Sequence, residues 1–290
     1  MWIEVDKLNA ILITAAMVVI NSFTTCIIYS VLSSQKSIHM KTILQRKFLK
    51  YSTLLLLMSF TFHKKKDITV YMIGDSTMAI KEEKAFPETG WGMAFQQFFN
   101  KSVTIDNRAK NGRSTLSFQT ENRWQPIVDQ LKAGDYVMIQ FGHNDEKLDK
   151  PGIGPTLQQY QDNLIKFVLD TRSKKACPIL LTPIARRSFK NGMLMDTHKG
   201  YPDMVRKVAD SLNVPLIDML HETEKWLQSV GDEPSKKFFN YVEPGHKNYP
   251  QGKKDDTHLS PDGAKQIAAL AVEQVKELRL ELAKRLLDIQ

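Results

Sequence analysis

Four short stretches of this sequence carry residue types that could act together on a carbonyl. Gly74-Asp75-Ser76 closes an apolar run, Gly112 lies in "NGRS", Asn144 lies in "GHND", and "DDTH" sets Asp255 three residues before His258. A serine hydroxyl is a weak nucleophile until a neighbouring base takes its proton. Histidine can do so near neutral pH when a carboxylate fixes its tautomer and steadies the imidazolium. The oxyanion that forms on attack needs donors set in advance, and the backbone N–H groups of Ser76 and Gly112 with the Asn144 carboxamide could supply three. Each residue has a plainer reading, since Gly-Asp-Ser and Asn-Asp are ordinary turns and His258 could be a surface histidine ahead of a helix cap. Taken together and in this chain order, the four stretches spell acyl transfer. Two acids adjoin in the last one, and the D-x-x-H spacing selects Asp255 over Asp256.

Such groups need a scaffold that brings four distant loops to one edge. Strand-like runs are expected at 68–73, 103–107, 135–141, 178–182 and 214–218, with helical patterns between them at 91–100, 123–131, 157–174 and 201–211. The strands are short, largely apolar and not cleanly alternating, which suits a parallel sheet covered on both faces. The alternation predicts one three-layer α/β domain over 67–290. In open parallel sheets, sites gather at the carboxyl ends of the strands, where Ser76, Gly112 and Asn144 would stand. A final helix starts at Pro261 with Ser260 as its cap, and Ile267, Ala271, Val275, Leu278 and Leu282 share its apolar face.

The four stretches resemble the blocks of the GDSL, or SGNH, hydrolases. "GDSTMA", "GWGMAF", "GRST", "IQFGHND", "LLTPIARRSF", "DTHKGYPDMV" and "NYPQGKKDDTHLSPDGA" are similar to the rhamnogalacturonan acetylesterase branch and cover most of 68–275. In that branch Thr77 stands where other members have Leu. The resemblance implies the three-layer, flavodoxin-like SGNH hydrolase fold with a central parallel sheet, Ser76 as nucleophile, Gly112 and Asn144 as oxyanion donors, and Asp255 and His258 completing the triad. It implies removal of acetyl groups from a plant cell-wall polysaccharide, rhamnogalacturonan in pectin, by a monomer without a cofactor. Rival readings are an esterase of the same fold acting on acetyl-xylan, a lipid or a thioester, and a catalytically silent carbohydrate-binding envelope protein. A metal-dependent hydrolase built on His143, Asp145 and His258 lacks any close ligand spacing.

Charge narrows the partners further. Of the 40 Lys and Arg residues nine lie in 1–66, with only two of the 32 acids, so 67–290 holds 31 basic and 30 acidic residues. The basic excess belongs to the N-terminal segment, and nucleic acid is not an expected partner of the domain. Residues 1–66 read as an extension that holds a signal peptide or membrane anchor. Ala10–Leu32 is long enough to span a bilayer, whereas a basic stretch from Met40 followed by Leu54–Phe62 has the build of a secretory leader. Translation is expected to start at Met40, and the domain to be exported, with membrane contact confined to this segment. Cys177 is the one cysteine of the domain, so no internal disulfide forms, and it is read as a small core residue. Arg113, Arg186 and Arg187 are candidates to face an acidic polymer, and His198 to line the cleft. His221 is read as structural, and Trp91 and Trp124 suit sugar stacking or the core alike.

Overall fold

The structure, a computed structural model, describes residues 67–287 together with Thr24, Thr25 and Phe48. The chain divides into two compact units, Met1–Lys64 and Lys65–Gln290, and the strands and helices that follow belong to the second. Apart from Thr24, Thr25 and Phe48, the apolar run 10–32 and the leader-like unit from Met40 lie outside the described residues. Among the described residues no helix is long and apolar enough to cross a membrane.

Five strands form one parallel sheet: β1 (Ile68–Gly74), β2 (Val103–Asn107), β3 (Tyr136–Gln140), β4 (Cys177–Leu181) and, after a short antiparallel hairpin of β5 (Phe189–Lys190) and β6 (Met193–Leu194), β7 (Leu216–Ile217). The order is β2-β1-β3-β4-β7. Chain direction across the sheet reverses between β1 and β3, the switch point where open α/β sheets leave a crevice beyond the strand ends. Register pairs Gly74 with Gln140 across this gap. A β-carbon at position 74 would sit 2.5 Å from the Gln140 carbonyl oxygen, which is why glycine ends β1.

The helices are α1 (Trp91–Phe95), α2 (Thr115–Thr120), α3 (Gln125–Gln130), α4 (Leu157–Ser173), α5 (Tyr201–Ser211), α6 (Met219–Val230), α7 (Asp232–Ser235) and α8 (Pro261–Glu277). Successive strand residues point to opposite faces, and the core divides accordingly. Val70, Met72, Met138 and Leu181 pack with Trp91 and Phe95 of α1, Leu227 of α6 and Ile267 and Ala271 of α8. Tyr71, Ile73, Val137 and Leu180 pack with Phe118 of α2, Ile127 of α3, Leu164 and Phe167 of α4 and Val205 of α5. The result is the expected three-layer α/β sandwich with a central parallel sheet.

Several local expectations change. The helical pattern at 91–100 is a five-residue α-helix followed by a 3₁₀ turn over Gln96–Phe98. Ser260 caps α8 by accepting from the Gly263 N–H at 3.2 Å, but the helix ends at Glu277, because Arg279 turns into the left-handed region with φ of 50°. Leu278 is consequently exposed, and Leu282 returns to the core from a 3₁₀ turn rather than along the helix face. Cys177 opens β4 at the rim of the sheet and is exposed, not a core residue.

Candidate active site

The turn after β1 is organised by its acid. Asp75 is fully buried, and its Oδ1 accepts from the Thr77 N–H at 2.9 Å and the Thr77 hydroxyl at 2.8 Å. Its Oδ2 lies 3.3 Å from His143 Nδ1. Burial works against ionising Asp75, but His143 and the two Thr77 bonds prevail and hold its carboxyl well below the usual carboxylate range. Asp75 thus fixes the turn and faces His143, while Ser76 is carried toward the cavity.

Ser76 Oγ lies 2.9 Å from His258 Nε2, and His258 Nδ1 lies 2.9 Å from Asp255 Oδ2. The other carboxylate oxygen, Asp255 Oδ1, accepts from the backbone N–H groups of Thr257 at 2.9 Å and His258 at 3.0 Å. One tight loop therefore holds acid and base in a fixed relation. Burial disfavours the Asp255 carboxylate, yet the hydrogen bonds from His258 and the loop backbone keep its pKa well below the ordinary value. Asp256 faces elsewhere: its Oδ1 accepts from Arg187 at 2.6 Å and from the Tyr241 hydroxyl at 2.7 Å. Arg187 is buried and also pairs with Asp232, and its N–H donates to the Asp256 carbonyl at 2.8 Å. Of the two adjacent acids, one orients the histidine and the other ties the loop to the body of the domain.

The oxyanion candidates converge on the same place. Gly112 adopts φ of 77° with open space around the position of a β-carbon, so glycine is needed there for backbone conformation and not for room. Among the described residues neither the Ser76 nor the Gly112 backbone N–H meets a backbone acceptor. Asn144 is held at both ends of its amide. Its Oδ1 accepts from Lys147 Nζ at 2.6 Å, and its Nδ2 donates to the Arg113 carbonyl at 3.1 Å, which leaves one amide hydrogen uncommitted. Ser76, Gly112, Asn144 and His258 line a cavity of about 400 Å³ together with Glu88, Asn111, His143, Lys147, Thr257 and Arg186.

Beneath the cavity floor runs a buried polar chain. His143 stacks edge-on against His198, with centroids 4.8 Å apart. His198 Nε2 is bonded to the Ile184 carbonyl at 2.9 Å and its Nδ1 lies 3.4 Å from Glu146, which pairs with Arg186. Burial draws the pKa of His143 down to about 4, although Asp75 opposes the shift. Asp145 accepts from the Thr115 N–H at 2.8 Å and hydroxyl at 2.6 Å, and burial still pushes its carboxyl up to about 7. Among the described residues no group of three or more His, Cys, Asp or Glu side chains is placed to hold a metal ion.

The structure brings Ser76, Gly112, Asn144 and His258 to one cavity, sets Asp255 behind His258, and sorts the remaining candidates. Arg186 lines the cavity, whereas Arg187 is enclosed by acids and Arg113 bonds to Glu121. His198 is buried and does not line the cleft. Trp91 and Trp124 both belong to the core, their indole N–H groups donating to Gln140 and Asp170 at 2.8 Å each. Glu88, Asn111 and Lys147 are cavity residues that sequence reasoning missed. Lys147 follows Asn144 by three residues and could have been found from that spacing, while Glu88 sits in the charge-rich run "KEEKAFPE" that reads as a solvated loop.

A hydroxyl bonded to a histidine–carboxylate pair, with uncommitted N–H groups around it, can attack an ester carbonyl and hold the resulting oxyanion. In class this is a carboxylic ester hydrolase. The model of the GDSL-like lipase/acylhydrolase family matches residues 72–266. The rhamnogalacturonan acetylesterase RhgT of Bacillus subtilis is 40% identical over 226 residues, 77% of this chain and 96% of that protein. The probable rhamnogalacturonan acetylesterase YesY of the same organism is 30% identical over 219 residues, 75% of this chain and 97% of its own. Among solved structures, the YxiM protein of Bacillus subtilis superposes with a TM-score of 0.65 at 23% identity, covering 74% of this chain, which spans 58% of that one. The chain belongs to the GDSL-like lipase/acylhydrolase family, on its rhamnogalacturonan acetylesterase branch.

Proposed function

We propose that the protein is a serine esterase that removes acetyl groups from rhamnogalacturonan in pectin through an acetyl-serine intermediate. Ser76 Oγ attacks the acetyl carbonyl carbon as its proton passes to His258 Nε2, while Asp255 steadies the imidazolium. The oxyanion is received by the Ser76 and Gly112 N–H groups and the Asn144 amide. Collapse breaks the bond to the sugar oxygen, which leaves with the proton from His258. Water, deprotonated by His258, then attacks the acetyl-serine and releases acetate with Ser76 restored. No step calls for a cofactor. The observation that carries the reading is the Ser76–His258–Asp255 chain opening into a cavity that also holds Lys147 and Arg186. Those two cations support a polymer bearing carboxylates, and the 40% identity to RhgT supports the named substrate.

The test is acetate release from acetylated rhamnogalacturonan, acetyl-xylan and long-chain esters, wild type beside Ser76→Ala. Rapid release from the first, weaker from the second and little from the third is expected, with Ser76→Ala inactive throughout. A clear preference for acetyl-xylan or long chains would remove the named substrate and keep the serine mechanism. Export belongs to the same proposal and is motivated by the basic-then-apolar unit that begins at Met40. The mature chain recovered from its native cells should begin between Phe60 and Asp67, and an N-terminus near Met1 would refute cleavage.

A further inference from the structure

Lys81 pairs with Glu88 and its side chain is only 2% exposed; burial draws its pKa down, and the Glu88 carboxylate opposes the shift. Its ammonium has three hydrogens and three oxygen partners. They are the Ser76 carbonyl at 2.5 Å, the Asn111 Oδ1 at 2.9 Å and the Glu88 Oε1 at 2.7 Å. The first partner belongs to the residue whose hydroxyl and N–H face the cavity. The second precedes Gly112 directly in sequence, and the third lines the same cavity. Ser76 and Asn111 follow different strands, β1 and β2; the last backbone bond that joins their turns runs from the Lys110 N–H to the Gly74 carbonyl at 3.0 Å, and none reaches Ser76 or Gly112. Gly112, at a positive φ, adds backbone freedom on one side of the gap. A buried ammonium that is fully bonded to both turns removes that freedom.

We propose that Lys81 is a positioning residue for the oxyanion pocket, clamping the Ser76 turn to the Asn111–Gly112 turn so that their two N–H groups point at one spot. Glu88 supplies the counter-charge that lets the clamp be buried. This rests on the serine mechanism proposed above. Donors must sit within a few tenths of an ångström of where the oxyanion forms, and burying a lone ammonium without its partner is costly. The clamp acts on the transition state and not on the resting ester, so its loss should appear in kcat and not in KM.

Lys81→Met is expected to lower kcat for p-nitrophenyl acetate by about 10²-fold, with KM within about threefold, because a misplacement near 1 Å costs about that much. Inhibition by phenylboronic acid, which forms a tetrahedral adduct on a serine, should weaken in parallel. Lys81→Met also strands the Glu88 carboxylate, so stability is controlled with the double variant Lys81→Met/Glu88→Gln. This variant should recover the melting temperature and stay about 10²-fold slow. If the double variant regains wild-type kcat, Lys81 serves only to neutralise Glu88 and the proposal falls. Unchanged boronic-acid affinity in either variant overturns it as well. Where the single variant does not fold, the double variant decides alone. Ser76→Ala is run beside them: an active Ser76→Ala would refute the serine mechanism itself, whereas a fast double variant next to an inactive Ser76→Ala refutes only the role of Lys81.

Discussion

Asp255→Asn and Asp256→Asn change neighbouring residues by the same single group, and the structure predicts opposite outcomes. In Asp255→Asn the side-chain oxygen can still accept from the Thr257 and His258 N–H groups, which the carboxylate Oδ1 does at 2.9 and 3.0 Å. The amide nitrogen then replaces Oδ2 and faces His258 Nδ1, where the carboxylate sat 2.9 Å away. A donor in that position requires Nδ1 to accept, which moves the ring proton to Nε2. Nε2 would then donate to Ser76 Oγ across the 2.9 Å contact and could not take its proton. Loss of the correct tautomer costs about 10⁴-fold in kcat in a triad of this kind, or about 5.5 kcal/mol of barrier. Asp256→Asn keeps an acceptor for Tyr241 and Arg187, and the Asp256 carbonyl still accepts from the Arg187 N–H at 2.8 Å. The Asp256 side chain is 48% exposed and Arg187 retains Asp232. Losing its charge should therefore cost only about 0.5–1 kcal/mol of stability and no more than about tenfold in kcat. The assay is kcat and KM on p-nitrophenyl acetate, with chemical denaturation of each variant to confirm that the folded fraction is compared. If Asp256→Asn loses as much turnover as Asp255→Asn, the orientation of the loop inferred here is wrong.

Gly112→Ala should fold but lose most turnover, since a φ of 77° costs an alanine on the order of 1 kcal/mol and relaxation would swing the N–H away from Ser76; full activity in this variant would count against Gly112 as a donor. Asp145 carries a pKa raised to about 7 in the folded state, so between the unfolded value near 4 and pH 7 folding takes up a proton, and this group's stabilising contribution is present at acid pH and lost as pH rises through 7. Asp145→Asn mimics the protonated form, and its stability relative to wild type should improve by up to a few kcal/mol between pH 5 and pH 8; a difference that stays flat in urea titrations would refute the neutral acid. Raising salt should increase KM for an acidic polymer more than for a neutral acetyl ester, because contacts to Lys147 and Arg186 are screened; equal effects on both would remove these cations from polymer binding.

The sequence states its chemistry and its layers more clearly than its boundaries. Ser76, Gly112, Asn144 and His258 stand in loops that follow strands or precede a helix cap, where their combination and chain order, not any one residue type, mark them. Asp255 was legible from its spacing to His258, but only the structure reveals that Asp256 has partners of its own in Arg187 and Tyr241. The cation clamp was not legible, because Lys81 lies in a polar run and its burial depends on Asn111, 30 residues away. Helix α2 was missed since "TLSFQT" is too short for a period to emerge; its start is set by Ser114, which bonds to Ser117 in a reciprocal cap. The β5–β6 hairpin, by contrast, carries Asn191-Gly192 at its turn, both with positive φ. That pair is the commonest two-residue hairpin signal and could have been read. Helix α6 was obscured by the strand reading of 214–218, where Asp218 in fact caps the helix by accepting from the His221 N–H at 3.3 Å. Trp91 and Trp124 illustrate the remaining limit: an indole looks alike in a core and in a sugar cleft until its neighbours are known.

The bond between Ser76 and His258 closes a loop of 182 residues. Strands β1 to β7 and helices α1 to α6 are complete by Val230, but α8, whose Ile267 and Ala271 cover one face of the sheet, follows the base in sequence and is still absent. Contacts of such long separation form late, because chain closure costs entropy that earlier contacts do not repay. A ribosome-bound or truncated chain that stops short of Asp255 therefore lacks α8 together with the acid–histidine loop that reaches Ser76. Hydrolytic competence arrives with the last segment to dock, and the appearance of esterase activity during refolding is a clock for that docking alone. Measured against the burial of Trp124, which packs on the sheet face opposite α8, it should lag.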